Sequence, residues 1–151
     1  MFDFFKEIMS GSYDKRTAES ENKLVQIATC ALFLEMAKAD DNFAQEEKEQ
    51  IIDIMKESFG LGEEEVEEII RISEDRVNKS VSLFEFTEIL NKHLDNEQKY
   101  DIVKNLWRLI YADNELSKYE EHLIRLITNN FNLAHKDMIA AKMEVKAELN
   151  K

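Results

Sequence analysis

Ala39-Asp40-Asp41-Asn42-Phe43-Ala44-Gln45-Glu46-Glu47 returns as Ala112-Asp113-Asn114-Glu115-Leu116-Ser117-Lys118-Tyr119-Glu120. Each copy reads Ala-Asp, a second Asp or Asn, one polar residue, an apolar residue, a small residue, then Glu three places on. The copies stand 73 residues apart (113 − 40). Each follows an apolar run of helical period and precedes another. The chain therefore reads as two related halves, each pivoting on an acidic turn.

Working outward, apolar residues recur at three- and four-residue spacing, the period of one helix face. Leu24, Ile27, Ala28, Ala31 and Leu34 carry a first long helix over Glu19–Ala39, and Ile51, Ile54 and Met55 a second over Gln45–Phe59. Gly60-Leu61-Gly62 turns the chain, with Gly60 a helix stop. Glu63, Glu64 and Glu65 suit the positive first turn of the next helix, which runs to about Asn78 on Val66, Ile69 and Ile70. Ser82-Leu83-Phe84-Glu85 is a capping box, Ser with Glu three residues on, and opens a helix to about Leu94. Asp95-Asn96-Glu97-Gln98 is a second, weaker cap before Asn96–Ala112. Ser117 and Glu120 form a full capping box and launch Lys118–Asn130. Phe131-Asn132-Leu133 then mirrors Phe59-Gly60-Leu61, now 72 residues on (131 − 59). Asn tolerates the left-handed backbone that Gly60 provides. A last helix uses Met138, Ala141 and Val145.

The expectation is an all-α fold: a single-domain bundle of about seven helices from two pseudo-symmetric repeats, about 19–78 and 96–150. Residues 1–17 stand apart as a short amphipathic N-terminal helix and linker, with Phe2, Phe5, Ile8 and Met9 on one face. That helix packs on its own domain or docks on a partner. Asp3 and Glu7 oppose membrane contact. Residues 18–151 form the all-helical domain.

Composition agrees. Among 151 residues there is no proline and there are three glycines, the residues that break or weaken helices. The net charge is −12, from 20 basic and 32 acidic residues. That opposes nucleic acid and anionic lipid, and suits cations or basic partners. Cys30 is the one cysteine. It allows no intrachain disulfide and fits a reducing cytoplasm. It reads as a small core residue. No run reaches the ~20 apolar residues that span a bilayer, and no signal peptide is recognisable at the N-terminus.

The duplicated motif resembles the TerB-like family, named for the tellurite-resistance protein TerB. Its members repeat helix–Ala-Asp-Gly-x-apolar-Ser-x-x-Glu–helix. The N-terminal region of the DjlA co-chaperone is similar. The resemblance covers roughly residues 20–147. The Phe-rich start and the Leu83–Leu94 helix also look like one stand-alone bacterial branch. The family's Gly after the first Asp is here Asp41, and Asn114 in the second copy, residues that also accept turn backbones. Ala44 stands for the capping Ser, so the first helix cap is weaker. The resemblance implies the all-helical fold, acidic loops that bind metal, and an association with tellurite or general stress resistance for operon-linked members. It implies no enzymatic activity.

The acidic turns admit two chemistries. Asp40, Asp41, Asn42 and Glu47 form one oxygen-rich set; Asp113, Glu115, Ser117 and Glu120 form the other. Hard cations such as Ca²⁺ or Mg²⁺ take six to eight such oxygens, waters included. An EF-hand is excluded, because twelve-residue loops from Asp40 or Asp113 end on Ile51 and Ile124 instead of a bidentate Glu. Alternatively, Asp40 and Asp113 accept hydrogen bonds from loop amides while Glu47 and Glu120 complete helix caps. His93, His122 and His135 have no zinc spacing. Trp107 and Tyr111, at i and i+4, read as core. No glycine-rich phosphate loop is present, and no carboxylate pair shows the contrast of dry and wet settings that acid–base work needs. The expected function is a cytoplasmic, non-enzymatic helical binding or scaffold module with a protein partner. The alternatives are a divalent-cation binder and a carboxylate-based hydrolase.

Overall fold

A computed structural model describes residues 17–38, 45–79, 82–112 and 116–150. Among them run seven helices and no strand: α1 (Thr17–Lys38), α2 (Gln45–Phe59), α3 (Glu63–Asn78), α4 (Leu83–His93), α5 (Asn96–Tyr111), α6 (Lys118–Asn130) and α7 (His135–Leu149). The helix expected over Met1–Met9 lies outside the described residues. So do both Ala-Asp motifs from Ala39 to Ala44 and from Asp113 to Glu115.

The repeat is written in the burial pattern. Ile102, Val103, Leu106, Trp107, Leu109 and Ile110 are the buried apolar residues of the central part of α5. Seventy-three positions earlier stand Thr29, Cys30, Phe33, Leu34, Met36 and Ala37, all buried on α1. Ile124 and Ile127 of α6 correspond in the same way to Ile51 and Ile54 of α2. Past the turn the offset becomes 72, and Met138, Ala141 and Val145 of α7 match Val66, Ile69 and Ser73 of α3.

Packing follows the same exchange. α1 lies along α3 and α5 along α7; α2 touches α5 and α6 touches α1. α1 and α5 also pack on each other. Val25 and Gln98 line one cleft, and Thr29, Phe33, Ile102 and Asn105 line the next, so the two helices run side by side in the same direction. This is the relation of two halves about a two-fold axis. α4 lies against α1 and α6.

Side chains lock the second half. Trp107 Nε1 donates to the Met138 carbonyl at 3.1 Å, and its ring stacks on Tyr111 at 5.7 Å. Arg108 grips both carboxylate oxygens of Glu148, at 3.0 and 2.7 Å. Asn91 Nδ2 and the buried Lys99 Nζ donate to the carbonyls of Asn130 and Phe131, at 2.7 and 3.3 Å. These two donors occupy carbonyls that the end of α6 would leave unpaired.

The turns hold as expected. Gly60 has φ 65° and Asn132 φ 62°. At Asn132, Leu133 N–H reaches the Thr128 carbonyl and Asn132 N–H the Asn129 carbonyl, at 3.1 and 3.0 Å, the two bonds of a Schellman ending. The caps rank differently from the sequence expectation. Asp95 and Gln98 make a full reciprocal box, with bonds of 2.8 and 2.9 Å. Ser82 Oγ accepts only from Phe84 N–H, at 3.1 Å. Ser82 and Glu85 form no reciprocal box, and Glu85, half-buried, leaves its Oε2 without a partner.

Candidate functional site

The two acidic turns join helices whose near ends share one end of the bundle. α1 and α5 run in the same direction, so Lys38 and Tyr111 finish together. Gln50, early in α2, reaches the carbonyl of Arg108, late in α5, at 3.4 Å. Lys38 Nζ meets Asn78 Oδ1 at the end of α3, and Lys146 lies over the Tyr111 ring late in α7. This end therefore gathers the ends of α1, α3, α5 and α7 and the starts of α2 and α6. Glu35 sits one turn before it. Burial pushes its carboxyl up from the usual range, and Lys38 opposes the shift.

Of the predicted ligand set, Glu47, Ser117 and Glu120 fall within the described residues. Asp40, Asp41, Asn42, Asp113 and Glu115 lie outside them. Glu47 is the third residue of α2 and is half-buried. Ser117 caps α6: its Oγ accepts from Glu120 N–H at 3.1 Å. Glu120 Oε1 accepts in return from Ser117 N–H at 2.9 Å. Glu120 is only 5% exposed, and four carboxylates in the first helical turns (Glu46, Glu47, Glu120, Glu121) lie at the positive helix ends. The reciprocal cap makes Ser117 and Glu120 a fixed corner beside the acidic segment. No group of three or more His, Cys, Asp or Glu stands close enough to hold a metal among the described residues. The three histidines remain apart, on α4, α6 and α7.

Cys30 is fully buried, and burial pushes its thiol to about 12; the Ser73 hydroxyl pulls the other way and Glu74 adds to the rise. A thiol held protonated is a core residue, as its place in the apolar stripe implies. No helix among the described residues is long and apolar enough to cross a membrane.

Sequence reasoning missed Lys99 and Asn91, which tie α4 and α5 to the end of α6, and also the polar trio Thr29, Ser58 and Asn105. Position gave a signal for two of these. Lys99 sits three residues before Ile102, on the buried stripe, and Asn105 aligns with the buried Leu32 under the 73-residue offset.

No curated protein matches the chain. Among solved structures, the crystal structure of a protein of unknown function, PG1108 from Porphyromonas gingivalis W83, is similar at a TM-score of 0.61 and 18% identity. The alignment covers 83% of this chain and 95% of that one. At that identity the likeness speaks for the fold alone. The family profile described as "Tellurite resistance protein TerB" matches residues 26–143. That span runs from within α1 to within α7 and takes in both acidic turns and the 73-residue repeat, so the chain belongs to the TerB family.

Proposed function

We propose that this chain is a non-enzymatic TerB-like binding module of the cytoplasm, serving tellurite or general stress resistance, and that its doubly acidic end holds a protein partner through a basic surface. The observation that supports this reading is the convergence of the helix ends that flank both acidic segments. Six carboxylates, Asp40, Asp41, Glu46 and Glu47 with Asp113 and Glu115, then fall within short chain distance of one end. Clustered like charges of this kind attract a basic face and speed its approach at low salt. Affinity capture from native lysate tests it, with the parent and a variant carrying Asp40→Asn, Asp41→Asn, Asp113→Asn and Glu115→Gln. The parent retains a basic protein that salt releases, and the variant loses it. Equal retention by the variant defeats the reading.

A second reading is favoured by the Ser117–Glu120 corner, which fixes two oxygen donors of the second set. Here each turn holds one hard cation, Ca²⁺ or Mg²⁺, through Asp40, Asp41, Asn42 and Glu47, or through Asp113, Glu115, Ser117 and Glu120. Binding to the folded form alone adds about 2.7 kcal/mol at a hundredfold excess over Kd. A melting titration with Ca²⁺, Mg²⁺ and Mn²⁺ reads this, and Asp113→Asn removes the second site's share of the shift. A melting point indifferent to all three metals leaves the turns as helix caps.

A further inference from the structure

Where α1 and α5 run side by side, beneath the end of α2, lies a cavity of about 180 Å³. Phe33, Phe59, Leu94 and Ile102 supply its apolar wall. A cavity of about 150 Å³ is enough to take benzene, so one six-membered ring fits. Five polar side chains interrupt that wall: Thr29, Ser58, Gln98, Asp101 and Asn105.

Thr29 is 2% exposed, and its Oγ1 has no hydrogen-bond partner in the protein. A threonine inside a helix ordinarily bonds back to a carbonyl three or four residues earlier. Thr128 does so with Ile124 at 2.7 Å, and Thr87 with Phe84 at 3.0 Å. Thr29 does not. Its counterpart in the other half is Ile102, so packing at this place does not require a hydroxyl. Asn105 Oδ1 accepts from Arg108 Nη1 at 2.5 Å, whereas its Nδ2 stands 3.5 Å from Ser58 Oγ, beyond the usual range for a strong bond, so Asn105 Nδ2 and Ser58 Oγ retain capacity for another partner.

The cavity continues into an open cleft that shares Ser58, Phe59, Leu94 and Gln98 and adds Glu21, Gln26 and His93. That cleft gives a way in. Asp101 stands on the cavity wall and Glu21 in the cleft, and no Lys or Arg lines either space among the described residues. Anionic ligands are therefore disfavoured and a cation at the outer end is favoured.

We propose that this cavity is a binding site for a small aromatic amine: one ring carrying a hydroxyl, with a short chain ending in an ammonium group. The ring lies among Phe33, Phe59, Leu94 and Ile102. Its hydroxyl meets Thr29 and Asn105, and the ammonium faces Glu21 across the cleft. The site is separate from the acidic end and does not depend on its reading.

Tyramine is the probe, titrated by calorimetry against the full chain. The expected result is saturable one-to-one binding with Kd on the order of 1 mM or tighter, as the ligand's few atoms allow. 4-Hydroxyphenylacetate, a similar ring bearing a carboxylate, binds at least about tenfold more weakly. Thr29→Val keeps the side-chain shape, drops the hydroxyl and weakens tyramine about fivefold or more. Ile102→Phe fills the cavity and abolishes binding, with an unchanged circular dichroism spectrum as its control. If that variant fails to fold, Ser58→Leu, at an exposed position on the rim, closes the space instead. Absence of saturable tyramine binding, equal affinity for the two ligands, parent affinity in Thr29→Val, or undiminished binding in the folded filling variant would each overturn the proposal.

Discussion

Replacing Gly60 by alanine isolates a single backbone effect. Gly60 has φ 65°, and a Cβ built there meets nothing within 4 Å. There is no clash to add, so the cost is conformational. A residue with a Cβ loses about 1–2 kcal/mol in the left-handed region. Alanine also narrows the unfolded ensemble, which returns about 0.4–1 kcal/mol. Taking the midpoints, about 1.5 less about 0.7, the net destabilisation is about 0.8 kcal/mol, or a melting point lower by about 2–3 °C for a chain of this size. Gly60→Asn is the companion variant. Asparagine accepts this conformation, as Asn132 does at the matching turn with φ 62°. It should leave stability within about 0.5 kcal/mol of the parent. Urea unfolding followed by circular dichroism measures both. If Gly60→Ala matches the parent, or Gly60→Asn falls as far as Gly60→Ala, the equivalence of the two turns is wrong.

Trp107→Ala removes a ring that is 1% exposed together with its bond to the Met138 carbonyl, and should cost about 3–5 kcal/mol in urea unfolding; a loss under about 1 kcal/mol contradicts its central place between α5 and α7. Cys30 should resist an aromatic disulfide reagent in the native state and react at the rate of unfolding. Its folded pKa lies above the ordinary 9.0, at about 12, so its contribution to stability is complete below pH 9 and is lost as pH rises from there towards 12. Asp95→Ala removes a reciprocal cap and should cost about 1–2 kcal/mol, whereas Ser82→Ala removes a single bond and should cost about 0.5–1 kcal/mol; the reverse order in urea unfolding refutes the ranking of the two caps.

Much of this fold could be read before any coordinates, because a helix stripe and a repeat are properties of spacing. The 73-residue offset already paired Ile51 with Ile124 and Ile54 with Ile127, and both pairs are buried. Asn132 in place of Gly60 was legible because few residues take a positive φ. Cap strength was not. Ser82–Glu85 and Asp95–Gln98 look alike in sequence, and tertiary packing decides which carboxylate or amide turns back to its own amide. Lys99 was illegible for a similar reason: period places it on the buried stripe, but only the end of α6 explains why a cation is welcome there. Thr29 sits on the stripe as any small residue would. The cavity beside it depends on how α1, α2 and α5 meet, which spacing along one helix does not encode. For the acidic end, the sequence supplied the carboxylates, and the parallel course of α1 and α5 brought their flanking helices together.

The central claim is that the end carrying both acidic turns is the partner-binding face. A photo-crosslinking residue placed at Ala112 reports on that end, and one placed at Gly62 reports on the opposite end. In cells, position 112 should give an adduct with a basic protein. The adduct should vanish when Asp113→Asn and Glu115→Gln are added, and position 62 should give none. Adducts from position 62 alone, or an adduct from position 112 that survives neutralisation, would contradict the account.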